Sequence, residues 1–283
     1  MNEDISKIAD QIKSKGFISI KNFLGTENLD LAEKVLSHKN LKGKDSTYPI
    51  FIKHYLIKLL KMDIGILNKS LILKKIAKNL QLKSIAEKVF ESDVELHMID
   101  SYYSEKSEKD ILTWHNDIGL GENKKDQNNS IKKFYNESEA TLKNKKNKVS
   151  SRGIKFFIYM TDVQSNNGAL AVIPFSNQVV KTITSLILDK KIDLKPYWSL
   201  KSLRDLVENK KNKNLISNKL GTEIVENFLS NTNFINEEKK DSSAFDLEMQ
   251  KGSAVIFDEL CVHRGSAPKR NSRVVLRYLY RKK

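Results

Sequence analysis

Apolar residues recur at Ile5, Ile8, Ala9 and Ile12, the spacing of an amphipathic helix over residues 3–14 that Gly16 ends. FISIKNFL then alternates as a short strand. Thr26 opens a second helix whose apolar positions include Leu29, Leu31, Ala32, Val35 and Leu36. The helical pattern continues to about residue 90, where IKLL (57–60) and LILKKIAKNL (71–80) read as core-facing helix. Near residue 93 the period changes. VELHMIDSYYS reads as a strand, and ILTWHND follows after a charged turn. GIKFFIYMTDV (153–163) and ALAVIPF read as two strands of a hairpin about the turn Asn166-Asn167-Gly168. SAVIFDELCVHRG reads as one apolar strand and RVVLRYLY as the last.

This order predicts a single domain over 1–283. Residues 1–92 are mainly helical. Residues 93–283 form a mainly β core with flanking helices and two long loops, 121–150 and 176–250. The first loop is rich in Lys and Asn, with a short helix near Phe134 and Tyr135. The second carries helices at 180–188 and 200–208. No repeat and no Pro- or Gly-rich linker interrupts the chain. At 39% hydrophobic content there is enough apolar material for a substantial core.

Charge adds a partner question. The formal net charge is +15, which suits an anionic ligand or nucleic acid. The excess is mostly Lys scattered among Asn and Glu, as in NKKNKNLISNK, without the interleaved aromatics of a base-stacking platform. A nucleic-acid partner is therefore disfavoured, and a small-molecule substrate with an anionic group is the mild preference. The single cysteine, Cys261, excludes an intrachain disulfide. No stretch approaches the roughly 20 apolar residues of a membrane span, and the charged N-terminus lacks a signal-peptide core, so the expected location is cytoplasmic.

The candidate chemistry lies in three residues. In a strand, positions i and i+2 share a face, so WHND projects His115 and Asp117 together. His263 ends a separate apolar strand. Two imidazoles and one carboxylate on one side of a metal leave its other side open, the facial triad of non-haem iron(II) oxygenases. His-x-Asp alone is a tripeptide common by chance, and the bland alternative is an acid that does no more than orient the base. Arg273, ten residues after His263 and across a turn, adds a second signal. A guanidinium there can clamp the distal carboxylate of 2-oxoglutarate through two parallel hydrogen bonds, and Ser266 can add a third. Arg277, four residues on and on the same strand face, is the rival clamp.

In these segments the chain resembles the phytanoyl-CoA hydroxylase-like branch of the Fe(II)/2-oxoglutarate dioxygenases. IKSKGFISIKNFL is similar to the family's opening helix, Gly-Phe and strand. WHND matches its metal-binding His-x-Asp. FFIYMTDVQSNNGALAVIPFSN resembles its central hairpin, and VHRGSAPKRNSRVVLRY its closing His…Ser…Asn…Arg segment. The resemblance implies a double-stranded β-helix (a cupin-like jelly roll), iron held by His115, Asp117 and His263, and 2-oxoglutarate and O2 as cosubstrates. It places Arg273 at the family's 2-oxoglutarate arginine. The implied reaction is hydroxylation with release of succinate and CO2. Halogenases of this type lack the carboxylate ligand, so Asp117 points to hydroxylation. Two departures stand out: Pro174-Phe175-Ser176-Asn177 replaces Pro-Gly-Ser-His, and Arg264 is an extra residue between His263 and Gly265-Ser266. The competing readings are an inactive jelly roll that binds an anionic ligand or nucleic acid, and an oxygenase acting on a macromolecule.

Neighbours complete the expectation. Trp114 packs in the core on the strand face opposite His115. Tyr102 or Tyr103 points into the pocket. Cys261 lines the pocket or fills space, and Asp258 and Glu259 support the histidines. His38, His54 and His97 are structural. The loop 121–150 follows the metal motif and is either a lid or a solvated insertion.

Overall fold

The computed structural model describes residues 2–36, 47–49, 64–122, 129–136, 153–236 and 242–283. His38, His54, the segment 57–60 and most of the loop 121–150 lie outside these residues, and with them the lid reading. The described part of that loop includes a short helix over 129–136, where one is expected.

Among the described residues, ten antiparallel strands form two sheets. They are β1 (Phe17–Ile20), β2 (Thr47–Pro49), β3 (Val94–Ser104), β4 (Leu112–His115), β5 (Gly153–Tyr159), β6 (Leu170–Val172), β7 (Asp246–Leu247), β8 (Ala254–Asp258), β9 (His263–Gly265) and β10 (Arg273–Lys282). The larger sheet has the order β1-β8-β5-β10-β3-β2, and the smaller β4-β9-β6-β7. This is the jelly roll, mainly β with flanking helices.

Alternation along the strands builds three layers of core. Ile154, Phe156 and Ile158 of β5, with Val274, Leu276 and Tyr278 of β10, face the helices Asn2–Lys15, Gly25–Val35, Ile64–Asn79 and Leu82–Phe90. The last of these buries Leu82, Ile85, Ala86, Val89 and Phe90, one stripe at helical spacing. Phe157, Tyr159, Val255, Phe257 and Val275 point the other way, toward Leu170 and Val172 of the smaller sheet. Trp114, Ala171 and Val262 cover the far side of that sheet under the helices Ser176–Leu188, Leu200–Glu208, Lys210–Leu220 and Thr222–Asn231.

The structure corrects the sequence reading in three places. GIKFFIY and LAV do not pair. Both edges of β5 are taken by β8 and β10, so the Asn166–Gly168 turn carries the chain from one sheet to the other. SAVIFDELCVHRG is two strands in different sheets, joined by a bend at 259–262. Within the expected loop 176–250, the helices expected at 180–188 and 200–208 are found as Ser176–Leu188 and Leu200–Glu208, and two unexpected ones, Lys210–Leu220 and Thr222–Asn231, make 176–231 largely helical. Leu200–Glu208 and Lys210–Leu220 carry a side-chain N-cap as a local signal, whereas Ser176–Leu188 and Thr222–Asn231 do not. Ser199 accepts from Ser202 N, Asn209 accepts from Asn212 N, and Lys210–Leu220 buries only Ile216.

Candidate metal centre

The smaller sheet brings the two histidines together. β4 and β9 pair so that His115 stands directly opposite His263, with ring centroids 4.3 Å apart. Asp117 reaches them by a different route from strand alternation, because β4 ends at His115. The turn that follows is held by Asn116, which is wholly buried. Its amide donates to the carbonyls of Tyr197 and Trp198, and its oxygen accepts from Ile118 N and Gly119 N. Asp117 N donates to Glu259 O. The carboxylate is thereby folded back over the strand end. Its Oδ1 lies 3.8 Å from His115 Nε2 and its Oδ2 3.6 Å from His263 Nε2. One ligand atom from each of the three residues falls within 4.8 Å of the others.

Both imidazoles are oriented by backbone. His115 Nδ1 donates to Thr113 O at 2.6 Å, and His263 Nδ1 to Cys261 O at 2.9 Å. A carbonyl can only accept, so the proton sits on Nδ1 and the Nε2 lone pair faces Asp117. Burial pushes the His263 imidazole down to about 3 and lowers His115 as well, against the pull of Asp117. Burial would raise the Asp117 carboxyl, yet Lys155 and the two histidines hold it well below the usual carboxylate range. Two neutral imidazoles and an ionised carboxylate are the donor set that a divalent transition metal requires. The residues fit an iron(II) ion.

These groups open into a cavity of about 300 Å³, also lined by Tyr102, Tyr103, Leu112, Phe157, Leu170, Arg273 and Arg277. The two arginines are not equivalent. Arg277 forms a two-pronged pair with the buried Asp100, its partner in strand register, and stacks over Tyr102. Arg273 has no carboxylate partner among the described residues. Its Nη1 donates to Gly168 O at 2.9 Å, and its buried Nε meets no acceptor. Gly168, at φ +83°, leaves room for it, since a Cβ there would come within 3.3 Å of Arg273 Cδ. Of the two arginines lining the cavity, Arg273 is the one with no carboxylate partner among the described residues.

The remaining expectations divide. Ser266 is buried but does not line the cavity; its hydroxyl donates to Ala169 O. Its proton is committed to the fold. Both Tyr102 and Tyr103 line the cavity. Cys261 packs in the core with its thiol against Gly16 O, as filler. Trp114 faces the outer helices, and Arg264 lies over it while pairing with Asp246. Support for the histidines comes from backbone carbonyls, while Glu259 faces Lys155 instead. Lys155 and Asp100 escaped the sequence reading. Their signal is one charge inside each of the apolar runs GIKFFIY and MID.

A two-sheet jelly roll with a His-Asp-His cluster between the sheets defines the non-haem iron oxygenase class. The phytanoyl-CoA dioxygenase (PhyH) family model matches residues 12–273, and the chain belongs to that family. It is an Fe(II)/2-oxoglutarate-dependent dioxygenase-type enzyme. Among solved structures it is similar to HygX from Streptomyces hygroscopicus with iron bound (12% identity, 98% of this chain and 86% of that one, TM-score 0.55). It is also similar to the epimerase SnoN in complex with Fe3+, alpha ketoglutarate and nogalamycin RO (11% identity, 100% and 85%, TM-score 0.52). At such identity these likenesses speak for the fold. No curated protein sequence matches the chain. Among the described residues no helix is long and apolar enough to cross a membrane.

Proposed function

We propose that this enzyme hydroxylates a small molecule, using iron(II) held by His115, Asp117 and His263 and 2-oxoglutarate held by Arg273, with release of succinate and CO2. The observation that carries the reading is the convergence of the two Nε2 atoms and the Asp117 carboxylate within 4.8 Å, in the cavity that Arg273 lines. Bound there, iron(II) would supply the activation of O2 coupled to 2-oxoglutarate decarboxylation.

The protein's own part is orientation and exclusion of water. Thr113 and Cys261 fix the tautomer of the two imidazoles. Asn116 holds the turn that aims Asp117. Arg273, with donors to spare, would take the distal carboxylate of 2-oxoglutarate in a two-pronged pair. Tyr102, Phe157 and Leu170 supply an apolar wall that keeps water from the reacting groups. The preference for an anionic substrate rests on the net charge of +15 alone.

The direct test is anaerobic titration of the full chain with iron(II) and 2-oxoglutarate, followed by succinate release on admission of O2. Asp117→Ala is expected to abolish metal binding and succinate release together. Wild-type turnover in that variant would refute the ligand assignment.

A further inference from the structure

Lys155 is left without a role by the ligand set alone. It stands third in β5, on the face it shares with Phe157 and Tyr159, and only 6% of it is exposed. A cation inside a buried strand is costly unless it is paired. Its ammonium donates to Asp117 Oδ2 at 2.7 Å, and Glu259 Oε1 lies 3.6 Å away. Among the described residues no hydrogen bond reaches Asp117 Oδ1. Glu259 acts at both ends of this arrangement: its carboxylate faces Lys155, and its backbone carbonyl accepts Asp117 N. Gly153 makes the space, since a Cβ there would come within 2.7 Å of Glu259 Oε2.

We propose that Lys155, backed by Glu259, is a positioning residue that occupies Oδ2 of Asp117 and leaves Oδ1 as the one carboxylate oxygen open to the metal. The proposal rests on the ligand assignment above. A free carboxylate can offer a metal both oxygens. Of six positions around an octahedral ion, two imidazoles and a chelating carboxylate would leave two. A 2-oxo acid bound through two oxygens, together with O2, needs three. An ammonium at hydrogen-bond distance from one oxygen prevents that loss and fixes the rotation of the carboxylate. The cation beside the metal site is offset by its two carboxylate neighbours, Asp117 and Glu259.

The test is anaerobic titration of the full chain with cobalt(II), followed by 2-oxoglutarate, monitored by the cobalt visible spectrum. Lys155→Met keeps the length of the side chain and removes the donor. The expected result is cobalt(II) affinity at or above that of the wild type, with about tenfold or more weakening of the spectral response to 2-oxoglutarate. If both bindings match the wild type, the proposal is overturned. If cobalt(II) and 2-oxoglutarate binding fall together, Lys155 only props up the ligand, and the proposal is equally overturned. Should Lys155→Met fail to fold, K155M/E259M removes the whole buried pair and is read by the same outcomes. A wild-type chain that binds no cobalt(II) refutes the ligand assignment itself, and this role with it.

Discussion

Arg273 and Arg277 share a strand face and a cavity, and replacing each in turn separates cosubstrate binding from stability. Arg273→Gln removes a guanidinium whose only described protein partner is Gly168 O. Two charge-assisted bonds to a carboxylate contribute about 1.5–3 kcal/mol each, and the amide can keep one weaker bond. The net loss is about 2–4 kcal/mol, or roughly 30- to 1000-fold in the Kd for 2-oxoglutarate. The fold itself loses one hydrogen bond and is relieved of a buried cation, so the melting temperature should barely move. Arg277→Gln does the reverse. It strands Asp100, which is 1% exposed and paired to both prongs of Arg277. Breaking such a pair costs about 3–5 kcal/mol. Burial already raises the Asp100 carboxyl, so protonation relieves part of the strain and the lower figure applies. That is a fall of roughly 5 °C in Tm for a chain of this size. Thermal melts and 2-oxoglutarate titrations of the metal-loaded variants measure both quantities. If Arg277→Gln weakens 2-oxoglutarate binding while Arg273→Gln leaves it unchanged, the assignment of the clamp is wrong.

The other expectations concern the turn, the glycine and the histidines. Asn116→Ala deletes four side-chain hydrogen bonds to backbone and should cost about 2–4 kcal/mol in denaturant unfolding, with weaker metal binding because Asp117 is no longer aimed. Unchanged metal affinity would contradict that role. Gly168→Val places a branched side chain at φ +83° against Arg273, and should raise the KM for 2-oxoglutarate as well as lower stability. The metal-free protein should also lose stability in acid. His263 is held down to about 3 in the fold, against about 6.5 in the unfolded chain, so the unfolded chain takes up the proton first. Stability from this group is full above pH ~6.5 and falls toward pH ~3, by up to about 1.4 kcal/mol per unit. Equal unfolding free energies at pH 7.5 and pH 5 would count against this reading.

Much of this protein is legible in the chain itself. Periodicity marks the first two helices, β3 and β10, because each is long enough for its apolar spacing to be read without a partner. The residue types of the candidate site, and the spacing from His263 to Arg273, are likewise a property of the sequence. Partnership is a different matter. GIKFFIY and LAV look like a hairpin because strand pattern records which faces are apolar and not which edges are free; β8 and β10 take both edges of β5. Leu200–Glu208 and Lys210–Leu220 begin at side-chain caps, and the apolar residues of 200–231 find their partners only against the smaller sheet. The same distinction runs through the site. His115 meets His263 through a strand pairing that joins residues far apart in sequence. Asp117 turns back on four hydrogen bonds of Asn116, not on strand alternation. Which arginine is free depends on Asp100, and which carboxylate oxygen is free depends on Lys155. Local chemistry sets what each residue can do, and only the assembled sheets decide which of its atoms are already taken.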